Sequence, residues 1–227
     1  MKQICGFALM MALSACVPSR RVSDQPPNII FIVTDDQRWD ALGFVGNKFI
    51  QTPHMDELAR SGLYFRNAFA TTPICAASRA TLLTGTYERT HDYTFGKPNL
   101  KDEYLRESYP YLLRQAGYRT GFVGKFGVNV NEGMVDELFD SYVKTSYPYF
   151  QEHEGQEMHL ADINGEHAID FIRSSKDQPF CLSLSFWSPH ADDGAEEQYF
   201  WPTAFDSLYQ DIDIPVPKTA DPAFFEA

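Results

Sequence analysis

The sequence predicts an α/β fold in which a mostly parallel β-sheet is flanked by helices. Short apolar runs rich in β-branched and aromatic residues alternate along the chain with longer amphipathic stretches. Strands separated by helices are joined by crossovers, and this type of connection favours parallel pairing. The hydrophobic content of 44% and the aromatic content of 15% favour a packed core over a disordered chain. The 227 residues suffice for one sizeable domain or for part of a larger one.

The strand predictions follow from four apolar runs, which are residues 28–34, 63–70, 118–123 and 179–186. The first run is continuously apolar, which predicts a central strand with both faces buried. In an α/β sheet, ligands bind beyond the carboxyl ends of the strands. The residues that follow these runs are therefore the first candidates for a functional site.

The helix predictions follow from three amphipathic stretches, which are residues 52–62, 107–116 and 162–174. Pro110 suits the first turn of the second helix, and Gly117 ends that helix. The polar segment 153–162 is predicted as a solvated loop, because its two histidines do not share a helix face. The aromatic and proline-rich segment 199–225 is typical of a loop that covers a cleft, or equally of a core that a partner would cover.

The acidic composition restricts the possible ligands. The net charge is −12, from 19 basic and 31 acidic residues. This charge argues against a nucleic-acid surface or an anionic-membrane surface. An anionic substrate would have to be attracted by local positive charge from a metal, an arginine or a lysine.

The first 15 residues are predicted to be an export signal, since Lys2 precedes an apolar run that is too short to span a bilayer. Residues 13–16 (LSAC) resemble a bacterial lipobox, which implies cleavage before Cys16 and lipidation of that residue. The alternative is an ordinary signal peptide cut nearby. Residues 16–27 would then form a lipidated tether, and the protein would lie at the bacterial cell envelope with a lipid anchor as its only membrane contact.

The mature part of the chain keeps two cysteines, Cys75 and Cys181. An oxidising compartment would allow them to form a disulfide. Cys181 lies in an apolar strand-like run, however, and this position favours a buried free thiol.

Asp35 and Asp36 follow the first predicted strand directly. Adjacent side chains of a regular strand point to opposite faces, so both carboxylates reach one site only if the backbone leaves β geometry there. Two neighbouring carboxylates repel each other unless a cation lies between them, and Ca²⁺ or Mg²⁺ prefers such oxygen ligands. The alternative is a surface turn with two solvated acids.

Cys75 precedes a small-residue segment that predicts a helix beginning close to it. At that position the cysteine would face the unpaired N–H groups and the positive end of the helix dipole. Arg79 lies about one turn further and can point back toward it. The alternative is a buried structural cysteine beside a solvated arginine.

The string Cys75-Ala76-Ala77-Ser78-Arg79, followed by Thr84-Gly85, resembles the signature of the type I sulfatases. The stretch PNIIFIVTDDQRWDALG is similar to the opening strand of that family. The resemblance implies an alkaline-phosphatase-like fold. It further implies that a maturation enzyme oxidises Cys75 to formylglycine, whose hydrate attacks the sulfur of a sulfate ester.

The other family positions are carried over by resemblance. Asp35, Asp36 and residue 75 would bind a divalent cation, most simply Ca²⁺ or else Mg²⁺. Lys125 and His190 would contact the sulfate, and His190 would also protonate the leaving group. Arg79 would help the metal to acidify the attacking hydroxyl and, with Lys125, would offset the charge on the transferring group. The implied substrate is a sulfated small molecule or glycan.

The chain departs from the family pattern in two respects. The family carries a histidine two residues after the lysine, where this chain has Gly127, and His91 is the candidate to compensate for it. An Asp-Asn pair and a second lysine of the family have no counterpart in the expected order. We therefore expect residues 28–227 to be the N-terminal portion of a sulfatase catalytic domain.

Three alternatives compete with the sulfatase interpretation. The nearest is a phosphate or phosphonate ester hydrolase of the same superfamily. A cysteine phosphatase that uses Cys75 as a thiolate is disfavoured, because such enzymes need a longer spacing than the three residues between Cys75 and Arg79. The last is an inactive truncated lipoprotein, and we expect little or no turnover from the 227 residues alone.

Overall fold

The computed structural model describes residues 26–216, and the predicted signal sequence and most of the tether lie outside this range. Its strands are β1 (Ile29–Val33), β2 (Arg119–Gly124), β3 (Ser141–Lys144), β4 (Phe150–His153), β5 (Gln156–His159) and β6 (Phe180–Ser185). Its helices are α1 (Pro53–Ser61), α2 (Cys75–Thr84), α3 (Glu88–His91), α4 (Asp102–Leu105), α5 (Tyr109–Gln115), α6 (Met134–Leu138) and α7 (Leu160–Ser174). No helix in this part of the chain is both long and apolar enough to cross a membrane.

The main sheet has four parallel strands in the order β1-β6-β2-β3. Strand β6 pairs with β1 on one side and with β2 on the other, and every residue of β6 is buried. The predicted α/β class with a parallel sheet is therefore confirmed. Because all four strands run in one direction, their carboxyl ends lie along one edge of the sheet.

Strand β1 corrects one prediction, since it is an edge strand and only one of its faces is covered. Ile30 and Ile32 are 47% and 52% exposed. The apolar run marks the strand correctly, but an edge strand has one neighbour, and its second face is uncovered in the part of the chain that the structure describes.

Two groups of buried side chains hold the helices to the sheet. The larger group joins α2 to the helices α4, α5 and α6 and to the Phe122 side of β2. The smaller group packs α7 on β2 and β6, where the ring of Phe171 lies over Gly121. A Cβ atom at Gly121 would be 2.5 Å from that ring, so only glycine permits this approach of helix and strand. The larger group thus fixes α2 on the sheet, and the smaller group fixes α7.

Two local predictions are wrong. Residues 63–70 form no strand, and Leu63 and Phe69 are 85% and 84% exposed, because this run meets no partner strand within residues 26–216. Residues 153–162 are not a solvated loop but contain β5 of the antiparallel hairpin β4–β5 and the start of α7. The hairpin turns at Glu154 and Gly155, whose positive φ angles of 50° and 81° match a tight two-residue turn.

The three predicted helices are present as α1, α5 and α7. Pro110 lies in the first turn of α5, and Gly117 follows its end with a φ of +89°. Helix α7 begins after the buried His159, whose side chain accepts a hydrogen bond from the N–H of Ala161. Residues 199–216 contain one 3₁₀ turn, Thr203–Phe205, and expose Trp201.

Candidate active site

The predicted site residues follow three strands of the sheet and begin one helix. Asp35 and Asp36 follow β1, Lys125 follows β2, and His190 lies five residues after the end of β6. Cys75 is the first residue of α2. Because the strands are parallel, the segments that follow β1, β2 and β6 lie at the same edge of the sheet.

Asp35 lies at the centre of a buried ionic cluster. Its Oδ2 contacts the Nζ of Lys125, and its Oδ1 lies 3.5 Å from Nη2 of Arg79. All three residues are buried, with at most 8% of their surface exposed. Two positive charges face one negative charge, so the cluster carries a net charge of +1 inside an acidic protein.

Arg79 is held by the last residue of β6 and by the residue that follows β2. Its Nη1 donates to the carbonyl oxygen of Lys125 at 2.6 Å and to Oγ of Ser185 at 2.5 Å. Its Nε is buried and has no hydrogen-bond partner among the described residues. The guanidinium thus lies against the sheet edge with its buried Nε–H uncommitted. Ser185 was not predicted as a site residue, because in the sequence it is only the last residue of an apolar strand.

Asp36 leaves β geometry, as the two-carboxylate site requires. Its φ of 59° is left-handed, which is uncommon for a residue other than glycine. Its side chain is 66% exposed, and Oδ2 lies 3.7 Å from Nε2 of His190. Asp36 therefore faces the solvent side of the site, whereas Asp35 faces its buried side.

His190 is oriented by a tyrosine that the sequence did not indicate. Tyr147 Oη lies 2.8 Å from Nδ1 of His190 and donates to the carbonyl oxygen of Ala191 at 2.7 Å. The same carbonyl lies 2.5 Å from Nδ1. A carbonyl only accepts, so Nδ1 carries the proton and Nε2 is the atom that faces Asp36. Burial raises the pKa of Tyr147, which keeps its phenol protonated.

Lys125 lies over an aromatic ring. Its Nζ is 4.4 Å from the ring centroid of Trp187, a distance typical of a cation–π contact. Trp187 packs against Tyr147 and donates from Nε1 to the carbonyl oxygen of Thr145 at 3.0 Å. Its position directly after β6 and Phe186 is the sequence signal that could have drawn attention to it.

Cys75 is partly exposed at the N-terminus of α2, as predicted. Cys181 is buried in β6, and burial raises the pKa of its thiol to about 11. Both cysteines are free, so the preference for a buried thiol over a disulfide is confirmed. The accessible residue is Cys75, and it lies one helical turn from Arg79.

The space that a side chain at position 127 would need is filled by the side chain of Arg79. Gly127 has a φ of +66°, and a Cβ atom there would lie 2.5 Å from Cδ of Arg79. His91 does not compensate for a histidine at this position. Its Nε2 lies 3.1 Å from Oγ1 of Thr81, and its Nδ1 accepts from the N–H of Tyr93. Burial lowers the pKa of His91, which is a neutral structural residue.

The carboxylates fit a divalent cation in donor type. Asp35 and Asp36 offer the oxygen ligands that Ca²⁺ and Mg²⁺ prefer. Residues 26–216 contain no group of three or more His, Cys, Asp or Glu side chains arranged to hold an ion. Further donors would therefore have to complete the coordination of a cation bound by these two residues.

Comparisons with known proteins identify one family. The family model described as Sulfatase matches residues 27–212. An N-acetylglucosamine-6-O-sulfatase of Bacteroides thetaiotaomicron is 31% identical in an alignment 189 positions long that covers 79% of this chain and 34% of that protein. An arylsulfatase of Clostridium perfringens is 29% identical in an alignment 240 positions long that covers 86% of this chain and 48% of that protein.

The solved structures agree with the sequence matches. A structure determined in complex with D-glucosamine-2-N,6-O-disulfate superposes with a TM-score of 0.70 at 27% identity, covering 85% of this chain and 39% of the other. The likeness confirms the predicted alkaline-phosphatase-like fold of the sulfatases. This chain spans about a third to a half of the length of the curated relatives named above.

Proposed function

The chain belongs to the sulfatase family, and from that premise we propose that it hydrolyses sulfate esters of a glycan with a nucleophile made from Cys75. The observation that carries the proposal is the buried cluster in which Arg79 and Lys125 converge on Asp35. Two fixed cations at the edge of a parallel sheet are suited to an anionic group, and one of them, Arg79, lies one helical turn from Cys75.

The charge of the site supports an anionic substrate despite the net charge of −12. Asp35 and Asp36 together balance a divalent cation, so Arg79 and Lys125 leave the site net positive when such an ion is bound. Both cations are buried, and solvent screens buried charges less than exposed ones. We infer that the two side chains offset the negative charge of the transferring group.

His190 is suited to proton transfer to the leaving group. Its Nδ1–H is fixed by Tyr147 and the carbonyl of Ala191, which leaves Nε2 directed toward Asp36. When Nε2 carries a proton, it can donate that proton to the departing alcohol oxygen. Tyr147 holds the ring in the orientation that this donation needs.

Two groups outside the unmodified chain complete the proposal. A formylglycine at position 75 supplies the nucleophile for attack on sulfur, and the partial exposure of Cys75 leaves it accessible to a maturation enzyme. A divalent cation, Ca²⁺ or Mg²⁺, supplies polarisation of a sulfate oxygen when bound. Its predicted ligands in this chain are Asp35, Asp36 and residue 75.

The glycan class is supported by the names of relatives, one an N-acetylglucosamine-6-O-sulfatase and another solved with a disulfated glucosamine. We also propose export and a lipid anchor on Cys16, on the strength of residues 1–16. A Cys16→Ser variant should lose incorporation of labelled palmitate in a bacterial host, and unchanged labelling would contradict the anchor.

The decisive measurement is the mass of the tryptic peptide that contains Cys75, after expression with a formylglycine-generating enzyme. We expect the aldehyde. We expect any turnover, which should be small for these 227 residues, to be faster with an aryl sulfate than with the matched aryl phosphate and to be lost in Cys75→Ala. The Cys181→Ala variant is the matched control and should keep the aldehyde at position 75. An unmodified thiol would remove the proposed nucleophile, and faster turnover of the phosphate would assign a phosphate ester hydrolase instead.

A further inference from the structure

Gly127 and Arg79 fit together too closely for any side chain at position 127. A Cβ atom at Gly127 would lie 2.5 Å from Cδ and 3.1 Å from Nε of Arg79. Separations below about 3.0 Å do not occur for real Cβ atoms, so one of the two residues would have to move. The contact involves the aliphatic arm of the arginine, not a freely rotating end.

The arm cannot move aside without cost, because Arg79 is fixed at both of its ends. Its backbone belongs to helix α2, and its guanidinium donates to the Lys125 carbonyl and to Ser185 while it lies beside Asp35. Only 8% of the residue is exposed, so another rotamer would have to fit among the side chains packed around it. A displaced arm would break at least part of this set of contacts.

We propose that Gly127 is a positioning residue for Arg79, and that its missing side chain determines where the guanidinium lies. The arm of the arginine runs through the space that a side chain at 127 would fill. The guanidinium thereby reaches Ser185 and Asp35 and keeps the buried Nε–H uncommitted. A side chain at 127 would move this donor and weaken the binding of an anion at the cluster.

A substitution at Gly127 has two effects, backbone strain and collision with Arg79, and these must be separated. Any residue with a side chain is strained in a left-handed backbone conformation, whatever surrounds it. Gly117 and Gly155 have φ angles of +89° and +81°, and a Cβ atom at either would meet no atom within 4 Å. Gly117→Ala and Gly155→Ala therefore carry the backbone strain alone. Gly127→Ala carries a similar strain and adds the collision with Arg79.

The first experiment titrates each variant with inorganic sulfate and follows binding by calorimetry. We expect the dissociation constant of Gly127→Ala to rise by about tenfold or more, the equivalent of one charge-assisted hydrogen bond. Gly117→Ala and Gly155→Ala should stay within about twofold of the wild type, a change too small to correspond to a lost hydrogen bond. An unchanged sulfate affinity of Gly127→Ala, with a wild type that binds, would overturn the proposal.

The second experiment does not depend on sulfate binding. Urea midpoints are measured for Gly127→Ala in the wild-type chain and in an Arg79→Ala background, where the arm is absent. We expect the shift caused by Gly127→Ala to fall, in the Arg79→Ala background, to that of the two control glycines. An equal shift in both backgrounds would overturn the proposal.

The remaining outcomes are also decided by this second experiment. If Gly127→Ala alone does not fold, folding of the double variant supports the proposal, and its failure beside a folded Arg79→Ala contradicts it. A wild type that binds no sulfate would count against the proposed function, whereas the urea comparison would still judge the Gly127–Arg79 contact.

Discussion

Replacing Asp35 by asparagine tests the ionic cluster directly. Asparagine keeps the shape of the side chain but removes its charge, so Arg79 and Lys125 lose their common counter-ion. All three residues are buried, and removing one partner of a buried ion pair costs about 3–5 kcal/mol. Small domains have unfolding free energies of about 5–15 kcal/mol, so this loss would be a large fraction of the total.

The assay is equilibrium unfolding in urea at neutral pH, with a chelator present so that no divalent ion contributes. We expect the unfolding free energy of Asp35→Asn to fall by about 3–5 kcal/mol with an unchanged m-value. Glu57→Gln is the matched control, because it breaks the exposed pair of Glu57 with Arg60. Exposed pairs contribute at most about 1 kcal/mol, so this control should change little.

Added sulfate provides a second reading of the same variant. An anion that binds between Arg79 and Lys125 replaces the lost negative charge, so sulfate should stabilise Asp35→Asn more than the wild type. A loss of stability no larger than that of Glu57→Gln would show that the two cations do not need Asp35. Equal stabilisation of both proteins by sulfate would mean that the anion binds elsewhere.

Two further substitutions test neighbouring contacts. Trp187→Leu removes the ring beneath Lys125 and should weaken sulfate binding by a factor of about 2 to 30, the equivalent of a cation–π contact, whereas the exposed Trp39→Leu should not. His159→Gln tests the pH dependence of stability. Burial holds the pKa of His159 below its ordinary value of 6.5. As the pH falls, the unfolded state therefore binds a proton before the folded state does, and stability is lost below about pH 6.5. Urea unfolding between pH 5 and 7 should show a weaker pH dependence for His159→Gln than for the wild type or for the exposed control His54→Gln, and parallel curves for all three would contradict the assignment.

The sequence predicted the placement of these residues well where the position of a residue in the fold decides its surroundings. Asp35 and Lys125 each follow a strand, and parallel strands deliver such residues to one edge of the sheet. Cys75 and Arg79 share a helix, so their separation is set by the helix period. Local pattern and topology together were enough to bring these residues into one neighbourhood.

Tyr147 could not be found in this way, because its role depends on long-range packing, whereas Trp187 follows β6 closely and could have been placed near the sheet edge. Tyr147 lies 43 residues before His190 in the chain, and nothing in its local sequence indicates the contact. The two failed predictions likewise depend on which strands pair, and the composition of a segment does not show this. The run 63–70 has strand-like residues but no partner strand within the described residues, and the segment 153–162 has polar residues that a tight turn at Glu154 and Gly155 folds into a hairpin.

Gly127 illustrates how a departure from a family pattern can be misread. Judged by sequence, a glycine where relatives are expected to carry a histidine suggests a lost function. In the structure the arm of Arg79 occupies that space and carries the guanidinium to Asp35. A histidine at 127 and this path of Arg79 therefore exclude each other. It follows that Gly127→His should lower the affinity for inorganic sulfate in the same calorimetric titration, and an affinity raised above that of the wild type would mean that Arg79 has another path to the cluster.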